Sequence, residues 1–221
     1  KEYTALNFEI RDNKVSIPET DYIEYGYKED SLQRIIKYDL VDRLVKKEPG
    51  ELNKQLSVNA LERGGKDRRI KAIDFAAYYC ARKCFMHMIM SGVVPDNDTC
   101  VNAVIGGDLE IIKKCNEAGL VFNDCLLQAA RFNRNNIIEW LLQKHKGSQI
   151  NYPNIAECLK HGNIEFVCFL TEHMKEDFNK RDPSNRTPLM FACRFTNLNF
   201  IEYIIEKKKA DVTAQCTRGL T

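Results

Sequence analysis

The residues best suited to chemistry in this 221-residue chain are its nine cysteines and four histidines. Cys158 and His161 have the spacing of two metal ligands, and Cys80 and Cys84 lie close in sequence to His87. A structural zinc site needs four ligands, and no second pair with suitable spacing lies near Cys158 and His161. We therefore predict no metal site, and we interpret residues 80–87 as one helix that runs through its own core.

The sequence also lacks the short motifs of common catalytic sites. It contains no Gly-x-Ser-x-Gly nucleophile motif, no Rossmann glycine fingerprint and no HExxH pair. The basic, glycine-broken segment 63–71 does not fit a phosphate-binding loop, because no strand precedes it and its glycine spacing differs. We interpret it as a solvated finger, or alternatively as a contact for an anion or an acidic partner. We predict that the chain is not an enzyme and uses no cofactor and no small-molecule substrate.

The composition bears on location and on partners. The net charge is only +2, with acidic and basic residues mixed, so no overall field draws the chain to nucleic acid or to a membrane. No apolar run approaches the roughly 18 residues of a membrane span. The cysteine number is odd, and Cys84, Cys115, Cys158 and Cys193 fall at predicted core positions, where a free thiol packs as a small hydrophobe. We predict an intracellular protein, cytoplasmic or nuclear, without membrane insertion.

The sequence contains a pattern of paired helices that recurs along the chain, and these helix pairs would position the residues of any functional site. Each copy has a small anchor residue, a polar turn, two apolar residues eight and nine positions later, and another apolar residue at position twelve. The anchors, separated by 27, 26, 29 and 34 residues, are Ala76, Ala103, Ala129, Cys158 and Ala192. Gly107 and Gly162 occupy two of the turns, where glycine supplies left-handed backbone without penalty. Five copies in phase predict an array of stacked helix hairpins.

The clearest copy carries a resemblance to a known family. Its segment Thr187-Pro188-Leu189-Met190-Phe191-Ala192-Cys193, followed by Ala210-Asp211-Val212, resembles an ankyrin repeat. Thr187 is predicted to cap the helix, and Pro188 suits the first helical position, where a missing N–H costs nothing. Residues 177–186 resemble the hairpin finger of that family, and residues 103–119 and 162–167 resemble weaker copies. The array is similar to the divergent, short-repeat arrays that are abundant in protists.

The resemblance implies an all-α, ankyrin-like solenoid of stacked helix pairs, with at most one full β-hairpin finger, placed before Thr187. Residues 30–221 are predicted to form about six helix pairs, truncated within a further repeat. In the divergent first pair, Ser31 begins the helix, and Leu40, Leu44 and Val45 are predicted to face inward. Residues 1–29 are predicted to be a linker or an N-terminal capping segment.

The resemblance also locates a candidate binding surface. In ankyrin repeats the first helices form a concave inner face, and the two residues that follow the small pair tend to point to the ligand. With Ile105-Gly106 as a gap, the candidate residues are Tyr78, Tyr79, Arg131, Phe132, Lys160, His161, Arg194 and Phe195. Tyrosine and arginine dominate interface energetics, and the basic members suit an acidic protein partner. In the alternative interpretation, the aromatic side chains cover neighbouring repeats and the charges are solvated.

The predicted function is therefore a non-catalytic scaffold that binds a protein partner on its concave face. An alternative is a spacer or regulatory arm of a larger enzyme or signalling protein. Nucleic-acid binding uses similar residue types, but the low net charge and the lack of a continuous lysine stripe disfavour it.

Overall fold

The computed structural model describes residues 9–11, 14–16, 27–58, 69–122, 125–144, 155–173, 177–195 and 198–221. The chain divides into two compact units, Lys1–Val121 and Phe122–Thr221. No helix within the described ranges is long and apolar enough to cross a membrane. The division into a 1–29 segment and a 30–221 array stays a prediction.

The first unit combines stacked helices with two antiparallel strand pairs. β1 pairs with β2, and β3 pairs with β4, with Leu56 opposite Ile70. Its elements are β1 (Glu9–Arg11), β2 (Lys14–Ser16), α1 (Leu32–Lys37), α2 (Val41–Leu44), α3 (Pro49–Leu52), β3 (Gln55–Ser57), β4 (Arg69–Lys71), α4 (Ala72–Tyr78), α5 (Arg82–Met90), α6 (Asn97–Gly106) and α7 (Leu109–Glu117). The first helices α1, α4 and α6 pack in that order, and the second helices α2, α5 and α7 do the same.

The second unit continues the pattern of helix pairs. Its elements are α8 (Cys125–Arg131), α9 (Asn135–Lys144), α10 (Ile155–Lys160), α11 (Ile164–His173), α12 (Pro188–Phe195) and α13 (Leu198–Glu206). Helix α10 packs against both α8 and α12, so three first helices are neighbours here as well. The predicted all-α stack of helix pairs is therefore confirmed.

The core follows the spacing read from the sequence. All five anchor residues are at most 1% exposed. The apolar residues twelve positions later are also buried: Met88, Cys115, Leu141, Leu170 and Ile204. Each helix pair thus buries one small residue from its first helix and larger apolar residues from its second, as a helical repeat requires.

In four of the five helix pairs with an anchor residue, the turn contains a left-handed residue four positions after the anchor, and the equivalent position of the fifth pair lies outside the described residues. Gly107 and Gly162 have φ values of 104° and 74°, and the equivalent Cys80 and Asn133 have φ values of 56° and 53°. In the first pair Asp39 takes this conformation, with φ 53°. Only the two glycines were predicted to be left-handed. Asn and Asp also adopt this conformation, but they occur so often elsewhere that their presence does not predict it.

Side chains from these turns join one repeat to the next. The Asp39 carboxylate accepts hydrogen bonds from the backbone N–H groups of Lys83 (3.2 Å) and Cys84 (2.8 Å), at the start of α5. The preceding residue Ala81 provides no side-chain cap of its own. Helix α5 is therefore capped by the neighbouring repeat rather than by its own residue.

Several local predictions need correction. Ser31 caps α1 as expected and Leu44 is buried, but Leu40 and Val45 are exposed because α2 is only four residues long and turns one side to the core. Cys193 is exposed rather than buried. The equivalent Ala130 and Leu159 are buried between first helices. Helix α12 packs on α10, and no other described helix of this unit packs on its opposite side.

The predicted finger before Thr187 is made of turns rather than paired strands, and the two strand pairs of the structure lie instead in the first unit, β1 with β2 and β3 with β4. The Asp182 carboxylate accepts the backbone N–H groups of Ser184 and Arg186, both at 2.9 Å, which bends the chain away from an extended path. Residues 63–68 of the basic segment 63–71 lie outside the described residues. The Thr187 hydroxyl is buried without a hydrogen-bond partner among the described residues, so the predicted cap is not formed, whereas Pro188 begins α12 as expected.

Candidate functional site

The eight predicted binding residues lie at the C-terminal ends of four first helices. Helix α4 ends at Tyr78, α8 at Arg131, α10 at Lys160 and α12 at Phe195. Each helix therefore presents its last turn and the following residue at the equivalent place in its repeat. The two units are described separately, Tyr78 and Tyr79 in the first and the other six residues in the second.

In the first unit, Tyr79 is part of an aromatic cluster and is not an isolated exposed side chain. Its half-buried ring lies 4.7 Å from the ring of Phe75 and 5.1 Å from that of Tyr78. The Lys37 ammonium, from the preceding repeat, lies over the Tyr79 ring at 5.1 Å and over the Tyr27 ring at 5.7 Å. Cation–π contacts of this kind hold α1 against α4. Tyr79 thus covers a neighbouring repeat, as the alternative interpretation expected.

Residues Ile105 and Gly106 interrupt the series of candidate binding residues, and the structure explains why glycine is needed there. A Cβ atom on Gly106 would lie 2.8 Å from the backbone oxygen of Tyr78 and closer still to that of Ala77. Helix α6 therefore approaches the end of α4 at a distance that only glycine permits.

In the second unit, the candidate residues lie on three first helices that follow one another in the stack. Lys160 and Arg194 are exposed, and Arg131, Phe132 and His161 are half-buried. The Phe195 side chain lies outside the described residues. The cations also lie where they stabilise the negative end of the helix dipole, a role that requires no partner.

Two asparagine side chains tie the ends of α8 and α10 together. The buried Asn163 amide donates to the carbonyl oxygen of Ala130 (3.1 Å) and to Oδ1 of Asn135 (3.0 Å). The Asn133 amide donates to the carbonyl oxygen of His161 at 3.5 Å. Because these bonds fix the two helix ends relative to each other, the spacing between Arg131 and Lys160 is set by the scaffold.

Burial in the helix core shifts the pKa values of two cysteines and one aspartate. Burial raises the pKa of the Cys84 thiol, and a hydrogen bond with Cys100 together with burial raises that of Cys115. Burial also raises the pKa of Asp74 to about 6, although Thr99 donates to its carboxylate at 2.5 Å and Lys71 lies nearby. No group of three or more metal-binding side chains occurs in the described part of the chain.

A groove beside α12 was not predicted. It has a volume of about 370 Å³ and is lined by the side chains of Arg186, Arg194 and Arg218 together with Met190, Phe191 and Leu220. We call it the arginine groove. Its second wall is the segment 216–221, which belongs to the further repeat predicted from the sequence. The 34-residue separation of Asp182 and Cys216 equals that of the last two anchors and could have aligned the two turns.

The two turns that form this groove are bonded to each other. The Thr217 N–H donates to the Ser184 carbonyl oxygen at 3.1 Å, and the Asn185 amide donates to the Gln215 carbonyl oxygen at 2.8 Å. The N–H groups of Arg218 and Leu220 donate to the sulfur of Cys216 and thereby lower the pKa of its thiol. Cys216 thus occupies the place that the Asp182 carboxylate takes in the preceding turn.

Comparison with known proteins agrees with this geometry. The ankyrin-repeat family model matches residues 126–216 in three copies. Among solved structures, one chain from the complex of the Bd0816 predatory endopeptidase from Bdellovibrio bacteriovorus with the immunity protein Bd3460 is similar, with 19% identity and a TM-score of 0.55. The alignment covers 69% of this chain and 88% of that chain. This likeness concerns the fold alone. No curated protein matches the sequence.

Ankyrin repeats are in general non-catalytic modules for protein–protein interaction. The stacked helix pairs of the second unit, their left-handed turns and the family match lead to one conclusion: residues 126–216 of this chain are ankyrin repeats.

Proposed function

We propose that this protein is a scaffold that binds a protein partner through the ends of the first helices α8, α10 and α12. The observation that carries the proposal is a basic residue followed by an aromatic one at the same two positions of three consecutive repeats. Arg131 and Phe132 end or follow α8, Lys160 and His161 end or follow α10, and Arg194 lies in the last turn of α12.

The proposed surface combines the two properties that protein interfaces need. Arginine and aromatic side chains contribute most of the binding free energy at typical hot spots. The asparagine bonds between α8 and α10 hold the two helix ends in a fixed frame, so binding does not have to order their backbone. Its cations favour a partner with an acidic surface. In the first unit, the half-buried Tyr78 at the end of α4 is a separate candidate contact, whereas the Tyr79 ring packs against Phe75 and the Lys37 ammonium.

The test compares capture of partners by the wild-type chain and by the double variant Arg131→Ala with Phe132→Ala. Proximity crosslinking in the source cell identifies candidates, and titration calorimetry with a purified candidate measures affinity. A matched control, Glu139→Ala with Gln143→Ala, changes exposed residues of α9. We expect the double variant to fold, as judged by circular dichroism, and to bind at least about tenfold more weakly.

Two results would count against this surface. If the double variant binds as tightly as the wild-type chain and the control, the partner uses another face. If the double variant unfolds while binding per folded molecule is unchanged, Arg131 and Phe132 serve packing and the helix dipole. Capture of no specific partner by any variant would favour the alternative function of a spacer or regulatory arm.

A further inference from the structure

The second helices of the repeats expose one face to solvent, and its composition differs along the chain. In α5, α7 and α9 this face is made by the residues three, six and ten positions after the left-handed turn residue. These residues lie on one side of a helix, because their spacing is i, i+3 and i+7. In α7 and α9 all six are polar and exposed, as is typical of a solvated face: Glu110, Lys113, Glu117, Asn136, Glu139 and Gln143.

On α5 the same three positions hold Lys83, Met86 and Met90. Met90 is 79% exposed, and Met86 is half-buried. On α2, which packs beside α5, the first two positions hold Asp42 and Val45, and Val45 is 58% exposed. Val45 directly follows α2 and keeps helical backbone angles, with φ −58° and ψ −26°. We call these five residues the outer patch.

The exposure of the outer patch follows from its place in the repeats. Helix α5 has a described helix on each side, α2 and α7, so no neighbour is missing beside Met86 and Met90. The position of Val45 corresponds to that of Lys113 and Glu139, which are exposed on α7 and α9. Water contacts these apolar side chains in the single chain, so covering them with another apolar surface is favourable.

Two charges of opposite sign accompany the apolar residues of the outer patch. Asp42 and Lys83 occupy equivalent positions on the neighbouring helices α2 and α5, three residues after the turn. Neither side chain forms an ion pair within the described residues, whereas the adjacent Arg82 is held by Asp108 at 2.9 Å. One charge of each sign leaves the outer patch with no net charge and makes it complementary to itself.

This arrangement fits a second copy of the same chain. Helices α2 and α5 occupy equivalent places in neighbouring repeats, so they run in the same direction. A rotation of 180° about an axis between them, parallel to both and in the plane of contact, sets α2 of each copy against α5 of the other. Asp42 of each copy then faces Lys83 of the other, and Val45 faces Met86. Each contact occurs twice, because a two-fold interface uses the same surface on both copies.

We propose that the outer patch binds the outer patch of a second copy of this chain and forms a two-fold symmetric dimer. Methionine suits such a contact, because its flexible side chain fills irregular gaps. An anionic lipid surface fits the outer patch less well, since it would repel Asp42. The dimer is weak, because five residues from each copy form a much smaller surface than the roughly 20–30 of a standard interface. The ends of the first helices take no part in it, so the inference goes beyond the proposed function and is independent of it.

The test is sedimentation equilibrium of the full 221-residue chain at protein concentrations from about 10 to 500 µM, a range suited to a weak dimer. Three variants change the outer patch: Val45→Asp, Asp42→Lys and Lys83→Asp. Val121→Asp is the matched control, because Val121 is 52% exposed and lies on the loop after α7. Circular dichroism checks that each variant is folded.

We expect the wild-type chain to dimerise and each variant of the outer patch to raise the dissociation constant at least about tenfold, while Val121→Asp leaves it unchanged. Each charge reversal turns two attractive contacts of the dimer into two repulsive ones. An equimolar mixture of Asp42→Lys chains with Lys83→Asp chains should dimerise like the wild-type chain, because every charge in the mixed dimer then faces its opposite. A folding defect in either variant cannot produce this rescue.

Three results would overturn the inference. They are a chain that stays monomeric over the whole range, a Val121→Asp variant that weakens the dimer as much as Val45→Asp does, and a mixture that dimerises no better than its two components. Flotation of a monomeric chain with phosphatidylserine vesicles would assign the outer patch to a membrane and would also overturn it. Capture of partners by the ends of the first helices is tested with Arg131→Ala and Phe132→Ala, so failure of the dimer leaves the proposed function standing.

Discussion

The buried carboxylate of Asp74 makes a sharp prediction about stability and pH. Asp74 lies on α4, is 4% exposed, and accepts a hydrogen bond from the Thr99 hydroxyl of α6 at 2.5 Å. Burial raises its pKa from 3.8 to about 6, against the favourable effects of Thr99 and Lys71, while Asp96 and Asp98 raise it further. Because water solvates the same carboxyl group in the unfolded chain, folding favours its protonated form.

The sign and size of the effect follow from linkage. Below pH 3.8 the group is protonated in both states, so its stabilising effect is fully present there. Between pH 3.8 and about 6 the unfolded chain has lost the proton while the folded chain keeps it, so the free energy of unfolding falls as the pH rises. At about 1.4 kcal/mol for each pH unit, the difference amounts to about 3 kcal/mol at neutral pH.

The assay is urea denaturation of the wild-type chain and of Asp74→Asn at several pH values from 4 to 7, followed by circular dichroism. Asparagine keeps an oxygen that can accept the Thr99 hydroxyl, but it does not ionise. We expect the wild-type chain to lose about 2–3 kcal/mol relative to the variant between pH 4 and pH 7. The control Asp42→Asn removes an exposed carboxylate of α2 and should keep the wild-type slope. Parallel curves for the wild-type chain and Asp74→Asn would refute the reasoning.

Three further predictions concern packing and thiols. Gly106→Ala should destabilise the first unit by about 1–2 kcal/mol in a denaturant melt, because the new Cβ meets the end of α4; the control Gly50→Ala, which meets no atom within 4 Å, should cost nothing, and equal effects would contradict this. Ile138→Ala should cost about 2–5 kcal/mol, because Ile138 is 3% exposed, and a loss under about 0.5 kcal/mol would show that the helix register is wrong. Native alkylation with iodoacetamide, read by mass spectrometry, should label Cys216 before Cys115, because backbone N–H groups favour the Cys216 thiolate whereas the Cys115 thiol is buried; the reverse order would exclude this environment.

The sequence predicted the parts of the fold that depend on local periodicity. The anchors and the apolar residues that follow them are buried, because a helix pair must bury the same positions in every copy. The exposure of Cys193 was not predictable in this way, because its burial depends on a neighbouring helix rather than on its own segment. The same holds for Asp39, whose cap on α5 joins residues 44 and 45 positions apart.

The candidate site was predictable only as a set of equivalent positions. The resemblance to ankyrin repeats located the ends of the first helices, but it carried no information on what each side chain contacts. Tyr79 illustrates the limit, since its ring packs between Phe75 and Tyr78 beneath the Lys37 ammonium. Arg186 and Arg218 were not predicted, because they become neighbours only through the hydrogen bonds between two turns. These turns begin at Asp182 and Cys216, 34 residues apart in the sequence.

Two polar side chains in the described part of the chain, Asp108 and Asn163, join helices and repeats. Asp108 begins α7 by accepting the N–H groups of Glu110 and Ile111, and it also holds the Arg82 guanidinium of α5 at 2.9 Å. Asn163 has the same double role between α8 and α11. Replacing either side chain would remove a helix cap together with a contact between repeats. In the second unit, Lys160 and Arg194 are exposed and Arg131 is half-buried at equivalent places on the helix ends, and we propose that these cations take part in recognition of a partner.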